Sequence, residues 1–169
     1  SLSGDRVEVY AKTNSAGVAE FRDVLVSGNA PYVLEEVDTD ERYVVPSAQN
    51  VLVEWNKVTD KTVVNRLKKW SLTVSKVDAE TGTAQGEGSL AGAQYGLYRH
   101  GLLQKVYTTD ASGRFTTDWY PCGAGWSLQE IAPSLGYQLD TKEYQLGVEP
   151  GQYTMAVSYT HLTLPTIRL

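Results

Sequence analysis

An all-β fold, built as tandem β-sandwich domains, is what the sequence predicts, and three observations carry it. Val, Thr and Tyr fill 46 of the 169 positions while Met occurs once, and β-branched and aromatic side chains suit a pleated, half-buried surface. Short runs alternate apolar and polar residues with period two, between turns rich in Gly, Asp and Asn. A set of landmarks also occurs twice along the chain. Tyr32-Val33-Leu34-Glu35-Glu36-Val37 followed by Tyr43 aligns with Trp126-Ser127-Leu128-Gln129-Glu130-Ile131 followed by Tyr137, at an offset of 94 residues. Upstream of each copy stands a turn of one type, Thr13–Gly17 and Thr109–Gly113, and downstream an alternating strand, Val51/Val53/Trp55 and Tyr144/Leu146/Val148.

The repeat predicts the back part of one β-domain over 1–69 and a second over 70–156. Asn65 to Trp70 holds no Pro, Gly or Ser, so the joint reads as a short, stiff connection and favours a rod of stacked modules. In the second domain alternation predicts strands near 70–77, 93–98, 104–108, 114–118, 126–131 and 143–148, with 79–89 as a loop. Turns every 8–12 residues between short strands are the signature of a sandwich. In the first domain Thr62–Asn65 reads as the last strand.

From Val157 the chain runs VSYTHLTLPT and then Ile167-Arg168-Leu169, continuing no pattern upstream. The string resembles one translated frame of a sequencing-library adapter, so 157–169 is expected to be a non-native tail and the second domain to lack its last strand. Both domains are then incomplete. Leu164-Pro165-Thr166 superficially resembles a wall-sorting signal, which Ile167 and Arg168 do not complete.

Composition excludes several function classes. Fifteen Lys and Arg against 20 Asp and Glu leave a net charge of −5, the wrong sign for a protein that binds nucleic acid by neutralising phosphates. One cysteine, Cys122, closes no internal disulfide and supplies no zinc-site spacing. No run approaches the roughly 20 apolar residues of a spanning helix. Neither a metal nor a cofactor is expected, and no nucleophile–base pair of a turnover enzyme stands out.

Three charged residues fall where the pattern asks for core. Side chains at i, i+2 and i+4 of a strand share a face. Trp70, Leu72 and Val74 lead in step to Lys76, Trp126 and Leu128 to Glu130, and Tyr32 and Leu34 to Glu36. Two readings stand. In one, these side chains snorkel at strand ends or form an ordinary buried ion pair. In the other, burial is chemistry: desolvation can leave a Lys amine neutral and a carboxyl protonated, and an amine so placed can attack the amide of a neighbouring Asn. That attack expels ammonia and leaves a Lys–Asn isopeptide bond, a self-crosslink needing proximity more than any cofactor.

The string Leu72-Thr-Val-Ser-Lys76-Val77-Asp78-Ala-Glu-Thr81-Gly82, then Leu90-Ala91-Gly92-Ala93-Gln94-Tyr95-Gly96-Leu97-Tyr98, then Tyr107-Thr-Thr-Asp110-Ala-Ser-Gly113, then Leu128-Gln-Glu130-Ile-Ala-Pro133-Ser-Leu-Gly136-Tyr137 resembles the SpaA-type pilin and Cna B-type domains of Gram-positive surface proteins. The resemblance covers nearly all of 70–156. It implies a Greek-key, reversed immunoglobulin or prealbumin-like sandwich in which the Lys of the Lys-Val-Asp motif joins a last-strand Asn or Asp, assisted by the Glu of Leu-x-Glu. Carried over, Lys76 is the amine and Glu130 the catalytic carboxyl. In the first domain Glu36 is the carboxyl and Asn65 the acceptor, with Glu35 on the opposite parity. Two departures follow. The first domain starts too late to include its Lys, and the counterpart of Asn65, near position 159, falls in the tail, so neither bond is expected to form in this chain.

The resemblance implies a stalk or pilin-like module of an extracellular, wall-associated adhesin. Its partners would be neighbouring domains of the same protein, and possible further ones are other pilin subunits or host matrix. The rival class is a related sandwich without crosslinks that binds a host protein or glycan. Elsewhere, His100 beside Gly101 reads as a surface residue of a hairpin and Cys122 as a loop thiol. Asp38, Asp40 and Glu41 read as a solvated turn rather than a calcium loop, and the four tryptophans as packing rather than a sugar platform.

Overall fold

The structure, a computed structural model, describes residues 7–152 and 157–167. The first six residues of the expected first domain and Arg168 and Leu169 of the expected tail lie outside the described residues. The strands in chain order are β1 Tyr32–Leu34, β2 Tyr43–Val44, β3 Gln49–Val51, β4 Arg66–Leu67, β5 Lys69–Asp78, β6 Gln94–Arg99, β7 Leu102–Thr108, β8 Arg114–Thr116, β9 Tyr120–Pro121, β10 Trp126–Ala132, β11 Glu143–Gln145 and β12 Val157–Thr166. The one helical element among the described residues is a 3-10 turn, Pro150–Gln152. The fold is all-β.

Contacts divide the chain into two compact units. One gathers the chain up to Glu36 with Ser47–Val63, the other Val37–Pro46 with the chain from Val64 onward. The repeat alignment alone puts 37–46 and 64–69 in the first domain. The structure groups them with the second, because β2 pairs antiparallel with β4 and the Lys68 N–H donates to Arg42 O at 2.9 Å.

In the first unit β1 pairs antiparallel with β3, Val33 opposite Asn50. The second unit repeats this pair as β10 and β11; Val51 stands opposite Tyr32, and its counterpart Tyr144 opposite Leu128, two residues beyond the counterpart of Tyr32. The turns upstream match bond for bond. Asn14 N–H donates to Val18 O, Gly17 N–H to Asn14 O, and Asn14 Oδ1 accepts from Ala16 and Val18. In the second unit Asp110, Gly113, Arg114 and Ser112 take the same parts. Both glycines need the left-handed region, φ 76° at Gly17 and 75° at Gly113, which costs glycine little.

The second unit is the sandwich. One sheet has the order β11-β10-β6-β7, the other β12-β5-β8 with β9 also on β5. The even positions Trp70, Leu72 and Val74 of β5 meet Tyr95 and Leu97 of β6, Tyr107 of β7, Trp126 and Leu128 of β10, and Phe115 of β8 in one buried cluster. Each fully buried large apolar side chain there contributes about 1.5–3 kcal/mol. Aromatic rings dominate it. Trp126 meets Trp70 edge-on at 5.1 Å and Tyr120 at 4.9 Å, and Tyr107 stacks on Phe115 at 5.3 Å. Trp55 and Trp119 are exposed. The β6–β7 hairpin turns on His100 and Gly101, both at positive φ, the backbone of a type I′ turn. His100 is exposed at that tip. Cys122 lies in the loop between β9 and β10, as expected, and its side chain packs within the core cluster, where burial pushes its thiol up.

Two further differences concern strands. Thr62–Asn65 is not a strand: pairing starts at Arg66, where β4 finds β2, and Thr62 is linked to β3 by the Gln49 side chain, which donates to its carbonyl. Where the sequence suggests a missing last strand, Val157–Thr166 runs parallel to the whole of β5, Val157 opposite Lys69 and Thr166 opposite Asp78. Its alternation explains the fit: Leu164 and Thr166 are buried and Thr163 and Pro165 exposed, so the inward parity matches that of β5.

Candidate functional site

The even parity of β5 does continue into the core. Lys76 and Glu130 side chains are both fully buried, and Lys76 Nζ donates to Glu130 Oε1 at 2.7 Å. Position is set by three strands. Lys76 sits near the end of β5, held by its own N–H donating to Gly113 O at 2.9 Å. Glu130 lies on β10 opposite Tyr95 of β6, just before a register shift. Thr166, near the end of β12, accepts a second hydrogen bond from Lys76 Nζ at 3.0 Å.

The surroundings are polar where they touch the pair and aromatic elsewhere. Glu130 Oε2 accepts the Asp140 N–H at 2.7 Å. Lys76 Nζ stands 5.9 Å over the Tyr137 ring, within reach of a cation–π contact. Burial first, and the Glu130 carboxylate second, hold the Tyr95 phenol well above its ordinary value. Beside the pair, Asp78 Oδ1 accepts the N–H groups of Thr81 and Glu80 and the Gln85 amide, and Oδ2 accepts the Tyr137 hydroxyl. These donors, the Thr81 N–H foremost, bring the Asp78 carboxyl down to about 2. They tie the 79–89 loop and Tyr137 to the end of β5.

A carboxyl depressed in the folded protein adds stability above its ordinary pKa near 4, and that stability fades as pH falls towards about 2. Asp78→Asn should therefore lower the urea midpoint at pH 6, and the gap from the parent should narrow between pH 5 and pH 2.5. A gap that stays constant over that range would show that Asp78 is not held ionised by the loop.

The four residues singled out by sequence are placed as follows. Lys76 and Glu130 meet. Glu36 is half-buried on the same side as Tyr32 and Leu34, and Glu35 is exposed, as the parity argument requires. Asn65 is exposed immediately before β4, and it falls in the other unit from Glu36. Position 159 pairs with Ser71 at the far end of β5, whereas the residue that reaches Lys76 is Thr166. Sequence reasoning missed Thr166, Asp140, Tyr95 and Tyr137 as neighbours of the pair. The inward parity of the last strand was the available signal for Thr166.

The acidic turn is solvated. Asp40 is half-exposed and paired with Arg42 at 2.9 Å, and Arg42 holds its carboxyl down to about 2.

The sequence model of the SpaA prealbumin-like fold domain matches residues 70–162, more than half of the chain. The chain belongs to this family. The match to the SpaA domain begins at Trp70 in β5, runs through both sheets, and takes in both members of the buried pair. Among solved structures, the TIE protein of Bacillus anthracis superposes with a TM-score of 0.75 at 18% identity, covering 94% of this chain and 28% of that one. The chain thus spans little more than a quarter of that protein's length. GBS52, the minor pilin of Streptococcus agalactiae, gives 0.47 at 22% identity over 99% of this chain and 71% of that one. The fimbrial protein FimP of Actonomyces oris gives 0.49 at 15% identity over 72% and 38%. No curated protein matches the chain.

Proposed function

We propose that the chain is part of a stalk or pilin-like structural module of a wall-associated surface protein, and that its SpaA domain is of the self-crosslinking kind. One observation carries the reading: a fully buried amine lies 2.7 Å from a carboxylate and 3.0 Å from the γ atom of a last-strand residue. In Asn or Asp the γ atom is the acyl carbon. An acyl carbon in the place of Thr166 Oγ1 would sit at the 3–3.5 Å separation of a near-attack geometry.

The chemistry balances with groups already present. Glu130 first takes a proton from the Lys76 ammonium, the neutral amine attacks Asn Cγ, and the protonated carboxyl gives that proton to the departing amide nitrogen while taking the second from Nζ, so that ammonia leaves as the new C–N bond forms. Thr166 itself offers a hydroxyl and no acyl carbon, so the bond does not form in this sequence. Glu36 and Asn65 are assigned the matching carboxyl and acceptor roles in the first repeat. The setting is extracellular, at the cell wall. The partners are neighbouring domains of the same protein, with other pilin subunits and host matrix as further candidates. Residues 157–169 are a foreign tail, and its strand stands in for the native one.

The test is Thr166→Asn. Its intact mass should fall by one ammonia, about 17 Da, while Thr166→Asn combined with Lys76→Ala or with Glu130→Ala should keep full mass. The closed loop should add roughly 2–4 kcal/mol by the entropy argument used for disulfides. Full mass in a folded Thr166→Asn protein overturns the crosslinking reading and favours the sandwich that binds a host protein or glycan without a bond.

A further inference from the structure

The two oxygens of Glu130 are engaged differently. Oε1 faces Lys76 Nζ at 2.7 Å, and Oε2 accepts the backbone N–H of Asp140 at the same distance. Asp140 belongs to the connection from β10 to β11, ten residues beyond Glu130, and a loop residue meets a buried carboxylate only if something fixes the loop. The Asp140 side chain does this. Its Oδ1 accepts the Lys142 N–H at 2.9 Å and its Oδ2 the Tyr144 hydroxyl at 2.5 Å. Tyr144 is in turn fixed on β11, paired with Leu128 of β10 and packed against the core. Burial, and then the Asp140 bond, push the Tyr144 phenol up to about 12, so this hydroxyl is a donor at neutral pH.

We propose that Asp140 and Tyr144 are positioning residues for the crosslinking carboxyl: Tyr144 holds the Asp140 side chain, Asp140 holds the loop, and the loop's N–H occupies Glu130 Oε2 so that Oε1 alone faces the amine. This rests on the crosslinking reading above. A carboxylate with one oxygen fixed by a peptide N–H cannot swing about its terminal torsion, and the proton it takes from Lys76 is transferred over a set distance. Misplacement by about 1 Å can cost on the order of 10²-fold in rate. The repeat carries an internal contrast. Counted from Tyr43, the residue of the first repeat in the place of Asp140 is Pro46, and counted back from Val51 it is Ser47, neither of which carries a carboxylate to hold the loop.

The test follows the rate of ammonia loss by intact mass after refolding full-length Thr166→Asn from urea. Adding Tyr144→Phe should slow it several-fold, and adding Asp140→Ala at least tenfold. The double change Asp140→Ala/Tyr144→Phe should be no slower than Asp140→Ala, because the two act in series. Asp140→Asn, which keeps an acceptor oxygen, should recover most of the rate. Urea midpoints measured in parallel separate rate from stability. If Asp140→Ala crosslinks at the parent rate, or Asp140→Asn is as slow as Asp140→Ala, the positioning role is wrong while the crosslink stands. If Asp140→Ala does not refold, Tyr144→Phe decides, and an unchanged rate there overturns the proposal. Loss of no mass in Thr166→Asn alone overturns the crosslinking reading instead.

Discussion

Glu130→Ala is expected to destabilise the second unit by about 3–5 kcal/mol, because it leaves a buried ammonium with no opposite charge. Lys76 would retain only the Thr166 hydroxyl and the face of Tyr137, neither of which replaces a carboxylate at 2.7 Å. Lys76→Met should cost a similar amount, since it strands the carboxylate between the Asp140 N–H and an apolar side chain. The combined change Lys76→Met/Glu130→Leu should recover most of the loss, as removing both members of a buried pair is often neutral or better. Urea unfolding followed by the fluorescence of Trp70 and Trp126, both buried in this unit, gives the comparison. A single substitution costing less than about 1 kcal/mol would mean that water reaches the pair, and the dry site needed for crosslinking would go with it.

That non-additivity also separates the two explanations the sequence leaves open. Hydrophobic replacement of a buried ion pair is often neutral or stabilising, so a double variant as stable as the parent leaves the ion pair without a purely structural reason. The chemical reason then gains weight, and the mass change of Thr166→Asn measures it directly.

The sequence made the pair legible because strand parity is a strict rule. Lys76 and Glu130 lie in step with Leu72, Val74 and Leu128, and period-two alternation names the buried face without knowing the partner strand. The same rule found β5, β6, β7 and β10, and the repeat found the turn at Gly113. It could not find β9, two residues paired with Lys69 and Trp70, since a pair so short has no period. Nor could it find Asp140 at Glu130, or Tyr137 at Asp78. Those contacts are made by loop backbone and by a residue beyond a strand end, where geometry depends on how the loop closes. For the last strand the usable signal was its Leu-x-Leu-x-Thr alternation, which puts Leu164 and Thr166 on the inward face beside β5 whatever the origin of the segment.

Gly113→Ala should be strongly damaging to the second unit, and Gly17 supplies its control. The two turns have the same hydrogen bonds and nearly the same φ, so the left-handed strain of about 1–2 kcal/mol is common to both. Their surroundings differ. A Cβ at Gly17 meets nothing within 4 Å, whereas one at Gly113 would lie 2.9 Å from the Lys76 carbonyl oxygen and 2.9 Å from Leu90 Cβ. Neither neighbour can move cheaply: one is backbone of the central strand, and the other belongs to a buried residue whose carbonyl accepts the Thr109 hydroxyl. Overpacking adds about 1–3 kcal/mol, so Gly113→Ala should cost about 3 kcal/mol or more, and Gly17→Ala about 1–2 kcal/mol within its own unit. Because the Lys76 N–H donates to Gly113 O, the displaced turn would also move the amine. In the Thr166→Asn background Gly113→Ala should therefore slow ammonia loss by more than its stability loss alone explains. Equal costs for the two glycine substitutions, read from urea midpoints and from amide exchange at Val18 and Arg114, would show that the turn at Gly113 gives way freely and does not seat the end of β5.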